Sequence, residues 1–253
     1  MSLKFILPAS LCGVLFACGG GDSSDSGNSI TPTAPVPEKQ SLTLSYDFSE
    51  SDLGFTIDTA DHDVDHELNG KILSELTSLP SPYEYRQGIM FQWRNYSDDI
   101  KGFIKKKITG LKGDSLFNVN FNVELVTFMS DACVGIGGSP GQSVKVKAAL
   151  LAQEPNKLID DSGSSTMYRI DINDGQSGGD DVVVLGHIGL PIPCDDDFFA
   201  NPVWEIKPLT NDDAFTLSTN SNGEAWVYLS IDSGFEGEST FYIASVELQI
   251  EQQ

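Results

Sequence analysis

Apolar side chains recur at every second position along most of this chain. Leu42, Leu44, Tyr46 and Phe48 alternate with Ser, Thr and Asp, and Phe117, Val119, Phe121, Val123 and Leu125 alternate with Asn and Glu. Val144 and Val146 continue the pattern, as do Tyr168, Ile170 and Ile172, then Trp226 and Tyr228, and finally Tyr242, Ala244, Val246, Leu248 and Ile250. A period of two sends one set of side chains to a core and the other to water, as antiparallel sheets require. Turn sequences separate the runs: GLKGDS, GGSPG, NDGQSGG, TNSNG and DSGFEG. No long stretch has helical periodicity and no internal repeat is present. The pattern predicts an all-β domain over residues 41–253, an antiparallel β-sandwich or jelly roll, with Trp226 in its core.

Before residue 41 the alternation is missing. Residues 1–17 carry Lys4 and then an apolar run from Phe5 to Ala17, too short to span a bilayer, and read as a signal peptide. Leu15-Phe16-Ala17-Cys18 resembles the lipobox of bacterial lipoproteins. That resemblance implies cleavage before Cys18, acylation of its sulfur and a membrane partner held through the lipid anchor. Gly19, in place of Asp, resembles lipoproteins released to the outer membrane of a Gram-negative cell. Residues 18–40, rich in Gly, Ser, Pro and Asp, read as a flexible tether.

Charge and cysteine count narrow the picture. The 253 residues hold 15 Lys and Arg against 37 Asp and Glu, a formal net charge of −22, which disfavours nucleic acid as a partner. With 40% hydrophobic and 21% charged residues, the chain is neither a disordered polyelectrolyte nor a multispan membrane protein. Once Cys12 leaves with the signal and Cys18 carries lipid, Cys133 and Cys194 remain. They form either a disulfide, as export permits, or two buried thiols.

Two acidic runs are candidate metal sites. In Asp61-His62-Asp63-Val64-Asp65-His66, an extended backbone lines up Asp61, Asp63 and Asp65 as hard oxygen donors, which suits calcium better than zinc. Asp171 and Asn173, in Asp171-Ile172-Asn173-Asp174-Gly175, look like part of a calcium loop, although the glycine comes one residue early and the bidentate Glu is missing. Solvated acidic loops explain both runs equally, and Asp195, Asp196 and Asp197 read as surface.

One basic strand stands out against this acidity. Alternation sends Ile100, Ile104 and Ile108 inward and Lys101, Phe103, Lys105 and Lys107 outward. A ring flanked by ammonium groups is a platform for an acidic polysaccharide, and the same residues serve equally as a charged sheet edge. For catalysis the chain offers no residue: G-x-S-x-G, HExxH and phosphate-loop motifs are all missing, and His187 in VVVLGHIGL reads as a core histidine.

The closing segment GEAWVYLSIDSGFEGESTFYIASVELQI is similar to the tail of carbohydrate-binding jelly-roll modules, in which the last strand returns beside the first. Ala244-Ser245 stands where those modules often have Asp-Asn, so their structural calcium is not implied there. SDDIKGFIKKKITGL, CVGIGGSPG and DSGFEG resemble a group of uncharacterised exported bacterial proteins, which implies a shared fold but no activity. The resulting expectation is a lipid-anchored, exported binding protein for an extracellular carbohydrate. A glycan-active hydrolase or lyase, and a structural or adhesive surface protein, are the alternatives.

Overall fold

The computed structural model describes residues 38–65, 72–96, 99–195 and 199–253. The signal peptide, the lipobox with Cys18 and the tether as far as residue 37 lie outside the described residues, as do His66, Asp196, Asp197 and Phe198. Residues 38–253 form one unit of antiparallel strands, with no α-helix among the described residues. In chain order the strands are β1 (Ser41–Asp47), β2 (Thr56–Ala60), β3 (His62–Asp63), β4 (Ile72–Ser78) and β5 (Gln87–Arg94). They continue with β6 (Ile100–Ile108), β7 (Leu116–Thr127), β8 (Val144–Leu151), β9 (Lys157–Asp160) and β10 (Met167–Ile170). The series ends with β11 (Val183–His187), β12 (Glu205–Thr210), β13 (Phe215–Ser218), β14 (Ala225–Ser233) and β15 (Glu238–Gln252).

Two sheets make the sandwich. The larger runs β12-β7-β15-β5-β4, with β1 added on β15 and β13 on β7, and the smaller runs β11-β8-β14-β6-β2. The last strand lies beside the first, Ser41 facing Glu251 and Asp47 facing Ser245. Between the sheets lies the main core. Phe117, Val119, Phe121, Val123 and Leu125 of β7 meet Ile100 and Ile104 of β6, Val146 and Ala148 of β8, and Val227, Leu229 and Ile231 of β14. Each large apolar side chain removed from water there contributes about 1.5–3 kcal/mol. The period-two pattern therefore decides the inner faces, and the all-β sandwich is what the structure shows.

The smaller sheet departs from the simple pattern because both its faces are covered. A three-stranded sheet, β3-β10-β9, and the chain from residue 171 to 182 lie over its outer side. There Ala60, Phe103, Ala149, Val182 and Tyr228 form a second apolar cluster, with Ile170 and Ile172 packed against it. This layer corrects the reading of the basic strand. The alternation along β6 holds, but Lys101, Phe103 and Lys105 are 1%, 1% and 9% exposed instead of facing water. Of the four residues expected outward, Lys107 alone is substantially exposed, and it is paired with Glu224 at 2.9 Å. Trp226 likewise lies on the outer side, half-buried, with the Lys105 ammonium 5.6 Å from its ring centre. It is not part of the main core.

Candidate functional site

Register brings ionisable residues together on the covered side of the smaller sheet. Within β14, Val227, Leu229 and Ile231 face the main core, so Tyr228, Ser230 and Asp232 face outward. Backbone pairing sets Asp232 beside Lys101 of β6, and Ser230 between Phe103 of β6 and Lys147 of β8. Asp174, from the loop after β10, closes over them. Lys147 Nζ lies 2.5 Å from Asp174 Oδ1 and 2.8 Å from Asp232 Oδ2. Lys101 Nζ lies 2.6 Å from Asp61 Oδ2, 3.3 Å from Asp232 Oδ2 and 3.5 Å from Asp174 Oδ2. Both ammonium groups also donate to backbone carbonyls, Lys101 to Asp174 at 2.5 Å and Lys147 to Gly175 at 2.7 Å. Tyr228 and Ser230 donate their hydroxyls to Asp174 Oδ2, each at 2.8 Å.

Burial opposes every charge in this set, so the neighbours decide which charges survive. Burial works to lower the Lys101 pKa, but the carboxylates of Asp232, Asp174 and Asp61 outweigh it and raise the value. Burial works to raise Asp174, and Lys101 and Lys147 reverse that, holding its carboxyl below the ordinary range. For Asp232 burial wins and its pKa is raised. Its Oδ1 accepts no hydrogen bond among the described residues. The Tyr228 phenol is pushed well above its usual value by burial and by Asp174. It therefore stays a donor.

This network floors a cleft of about 560 Å³. Asp61, Asp99, Lys101, Arg169, Asn173 and Asp174 supply its polar lining, and Ile170 and Ile172 supply apolar surface. Arg169 Nη1 donates to Asp99 Oδ2 at 2.8 Å and to Asp61 Oδ1 at 3.1 Å. Burial raises the pKa of Asp99 against the opposing effect of Arg169. The wall therefore presents a planar guanidinium, a carboxamide and carboxylates already held in place, which suits a ligand rich in hydroxyl groups.

Residues expected at three separate sites, Asp61, Lys101 and Asn173, thus line one cleft. The remaining candidates are spread elsewhere. Asp61 has a positive φ of 57° and only His62 and Asp63 are strand, so Asp61, Asp63 and Asp65 do not share one extended face. Asp63 Oδ1 accepts the Asp65 backbone N–H at 2.9 Å. Asp171 accepts the Asn156 backbone N–H at 2.6 Å, and the Asn173 N–H donates to Asp181 Oδ2 at 2.7 Å. Among the described residues, no group of three or more His, Cys, Asp or Glu is placed to hold a metal ion. The position between Asp61, Asp174 and Asp232 is filled by the Lys101 ammonium.

Lys105 bonds Glu154 at 2.8 Å and the Pro155 carbonyl at 2.7 Å, which ties the covering layer to β6. His187 is half-buried and accepts the Gly189 N–H at 3.1 Å, with Lys207 Nζ 3.4 Å away. Cys133 and Cys194 are bonded, with their Cα atoms 5.0 Å apart.

Sequence reading missed Lys147, Asp99, Arg169, Asp174, Tyr228 and Asp232 as members of one site. A signal was present in AWVYLSIDS and VKVKAALL, where large or apolar residues occupy both parities, a sign that both faces of a strand are covered.

No protein-family model matches the chain, and no curated protein matches it in sequence. Several solved structures match the chain at low identity and low TM-score. The TmCBM61 module, solved in complex with β-1,4-galactotriose, is 11% identical, with 78% of this chain and 88% of that chain covered and a TM-score of 0.31. A carbohydrate-binding module of the β-sandwich superfamily is 10% identical, with 86% and 78% covered and a TM-score of 0.34. A putative sugar-binding protein from Bacteroides thetaiotaomicron is 10% identical, with 78% and 88% covered and a TM-score of 0.31. The enzymatically active domain of the bacteriophage CBA120 tailspike protein 4 is 9% identical at a TM-score of 0.30, and this chain spans 19% of its length.

Proposed function

We propose that this protein binds a carbohydrate and reads its hydroxyl groups in the cleft floored by Lys101 and Asp174. The observation that carries the reading is the setting of Arg169, Asp99 and Asn173 beside Ile170 and Ile172 around a cleft of about 560 Å³. A sugar ring presents hydroxyls at its rim and C–H groups on its faces. Guanidinium, carboxylate and carboxamide groups can each engage two neighbouring hydroxyls, while the isoleucines cover a C–H face. Lys101 and Lys147 are engaged by buried aspartates, so the first cleft favours a hydroxyl-rich group over an anion. Within this proposal, the lipid on Cys18 and the tether to residue 40 hold the domain at an outer-membrane surface.

A glycan array probed with the full-length protein, followed by calorimetry on the best oligosaccharide, tests the reading. The wild type binds at least one oligosaccharide. R169Q and N173A, checked by thermal melting to be folded, each bind about tenfold more weakly, as expected for loss of a charge-assisted or bidentate hydrogen bond. Absence of binding to every glycan overturns the proposal.

A further inference from the structure

A second cleft, of about 250 Å³, adjoins the first. Gln176 lines both. The second cleft is otherwise lined by Gln142, Ser143, Lys145, Ser177 and the glycines Gly137 and Gly234, with no carboxylate in its wall. In a chain of net charge −22, this is an unusual lining. Most cations described on the strands have a carboxylate within 4.0 Å, among them Arg94, Lys107, Lys157 and Arg169. Lys145, half-buried on β8, has neither an ion pair nor a side-chain hydrogen bond among the described residues. Backbone register sets it beside Asp232, but that carboxylate is turned to Lys147 at 2.8 Å and Lys101 at 3.3 Å.

A second cation, Lys207, lies near Lys145 with a histidine between them. His187 lies opposite it across β8 and β11, and Lys207 Nζ lies 3.4 Å from His187 Nδ1. Asp131 is the nearby acidic residue, acting against both cations on His187, and its backbone carbonyl accepts the Gln142 amide at 2.9 Å. A half-buried ammonium held among amides and hydroxyls retains unused donors.

We infer that the second cleft seats a carboxylate, that of a uronic acid residue in the oligosaccharide whose neighbouring unit occupies the first cleft. Lys145 Nζ supplies the charged hydrogen bond, and Gln142 and Ser177 supply neutral ones. The inference rests on the carbohydrate reading above and deepens it from a hydroxyl-rich ligand to an acidic glycan. The surplus of carboxylates in the first cleft and the free cation in the second divide the work: hydroxyls are read in one, charge in the other.

Two measurements on the full-length protein test this. Calorimetry compares oligogalacturonate, hyaluronan and oligoguluronate with their carboxyl-reduced counterparts. The acidic form of at least one pair binds roughly tenfold more tightly, the effect of one charge-assisted hydrogen bond. K145M removes that preference, so that the acidic and reduced forms bind it alike. Equal affinity for both forms of each pair, or a preference that survives in K145M, overturns the inference while leaving the carbohydrate reading standing. Separately, sodium glucuronate is titrated against sodium chloride of equal ionic strength, with amide chemical shifts followed by NMR. Saturable shifts near Gln142, Lys145 and Ser177 that vanish in K145M support the carboxylate site. Their absence overturns it, whatever the oligosaccharides do.

Discussion

Replacing Lys147 by Met probes the buried network most directly. The side chain is fully buried, and its ammonium touches Asp174 at 2.5 Å, Asp232 at 2.8 Å and the Gly175 carbonyl at 2.7 Å. Methionine fills much of the same space but removes all three contacts. Asp232, whose Oδ1 already lacks a hydrogen bond, is left with Lys101 at 3.3 Å as its remaining cation. Breaking a buried pair from one side costs about 3–5 kcal/mol, because the surviving charge has lost both water and its partner. In a unit of this size that corresponds to a fall in Tm of roughly 6–20 °C.

Thermal and urea unfolding followed by circular dichroism measure the loss, and repeating them across pH separates charge from packing. The Asp174 pKa is lowered on folding, so its contribution is present above the ordinary carboxylate value and disappears as pH falls through the lowered folded value. Asp232 has the opposite shift: its raised folded value weakens the fold as pH rises through it. In K147M both carboxylates lose a cation, so the gap from wild type is full at neutral pH and closes as they take up protons in acid. Adding D232N to K147M recovers part of the loss by removing the surplus charge. A gap below about 1 kcal/mol at neutral pH, the size of an exposed pair, would refute the reasoning, as would a gap unchanged in acid.

Two further outcomes follow from the fold. Reducing the Cys133–Cys194 bond, which joins residues 61 positions apart, releases a long loop in the unfolded state and lowers stability by about 2–4 kcal/mol, measured by melting with and without dithiothreitol. Gly102 of β6 faces the main core, where an added Cβ would come within 2.5 Å of Phe91 and 2.9 Å of Trp93. G102A therefore loses about 1–3 kcal/mol in urea unfolding, and a neutral G102A would show that the two rings yield more readily than packed cores do.

Alternation alone determined which side chains share a face. The inner set of β7 was legible because a strand has a period of two and one face meets the main core, whereas in β14 and the first half of β15 both faces are covered, and Val227, Leu229, Ile231, Phe241 and Ile243 turn inward in place of Trp226, Tyr228, Tyr242 and Ala244. The same rule placed Lys101, Phe103, Lys105 and Lys107 together, and the structure keeps them on one face. What local pattern could not decide is whether that face meets water. β9, β10 and the loop carrying Asp174 return over β6, β8 and β14, with contacts between residues 73 apart for Lys101 and 28 apart for Lys147, and only that return buries the two lysines. Asp61 read as a calcium-ligand candidate or a solvated acid, and Asp174 as part of an acidic turn, because a carboxylate's neighbours in sequence do not reveal its counter-ion in space. The sequence by itself determined the all-β class, the inner face of strands covered on one side and the acidic surplus; the tertiary structure decided which face of a doubly covered strand meets the main core and which charges were withdrawn from solvent, because burial and ion pairing are set by contacts between residues distant in the chain.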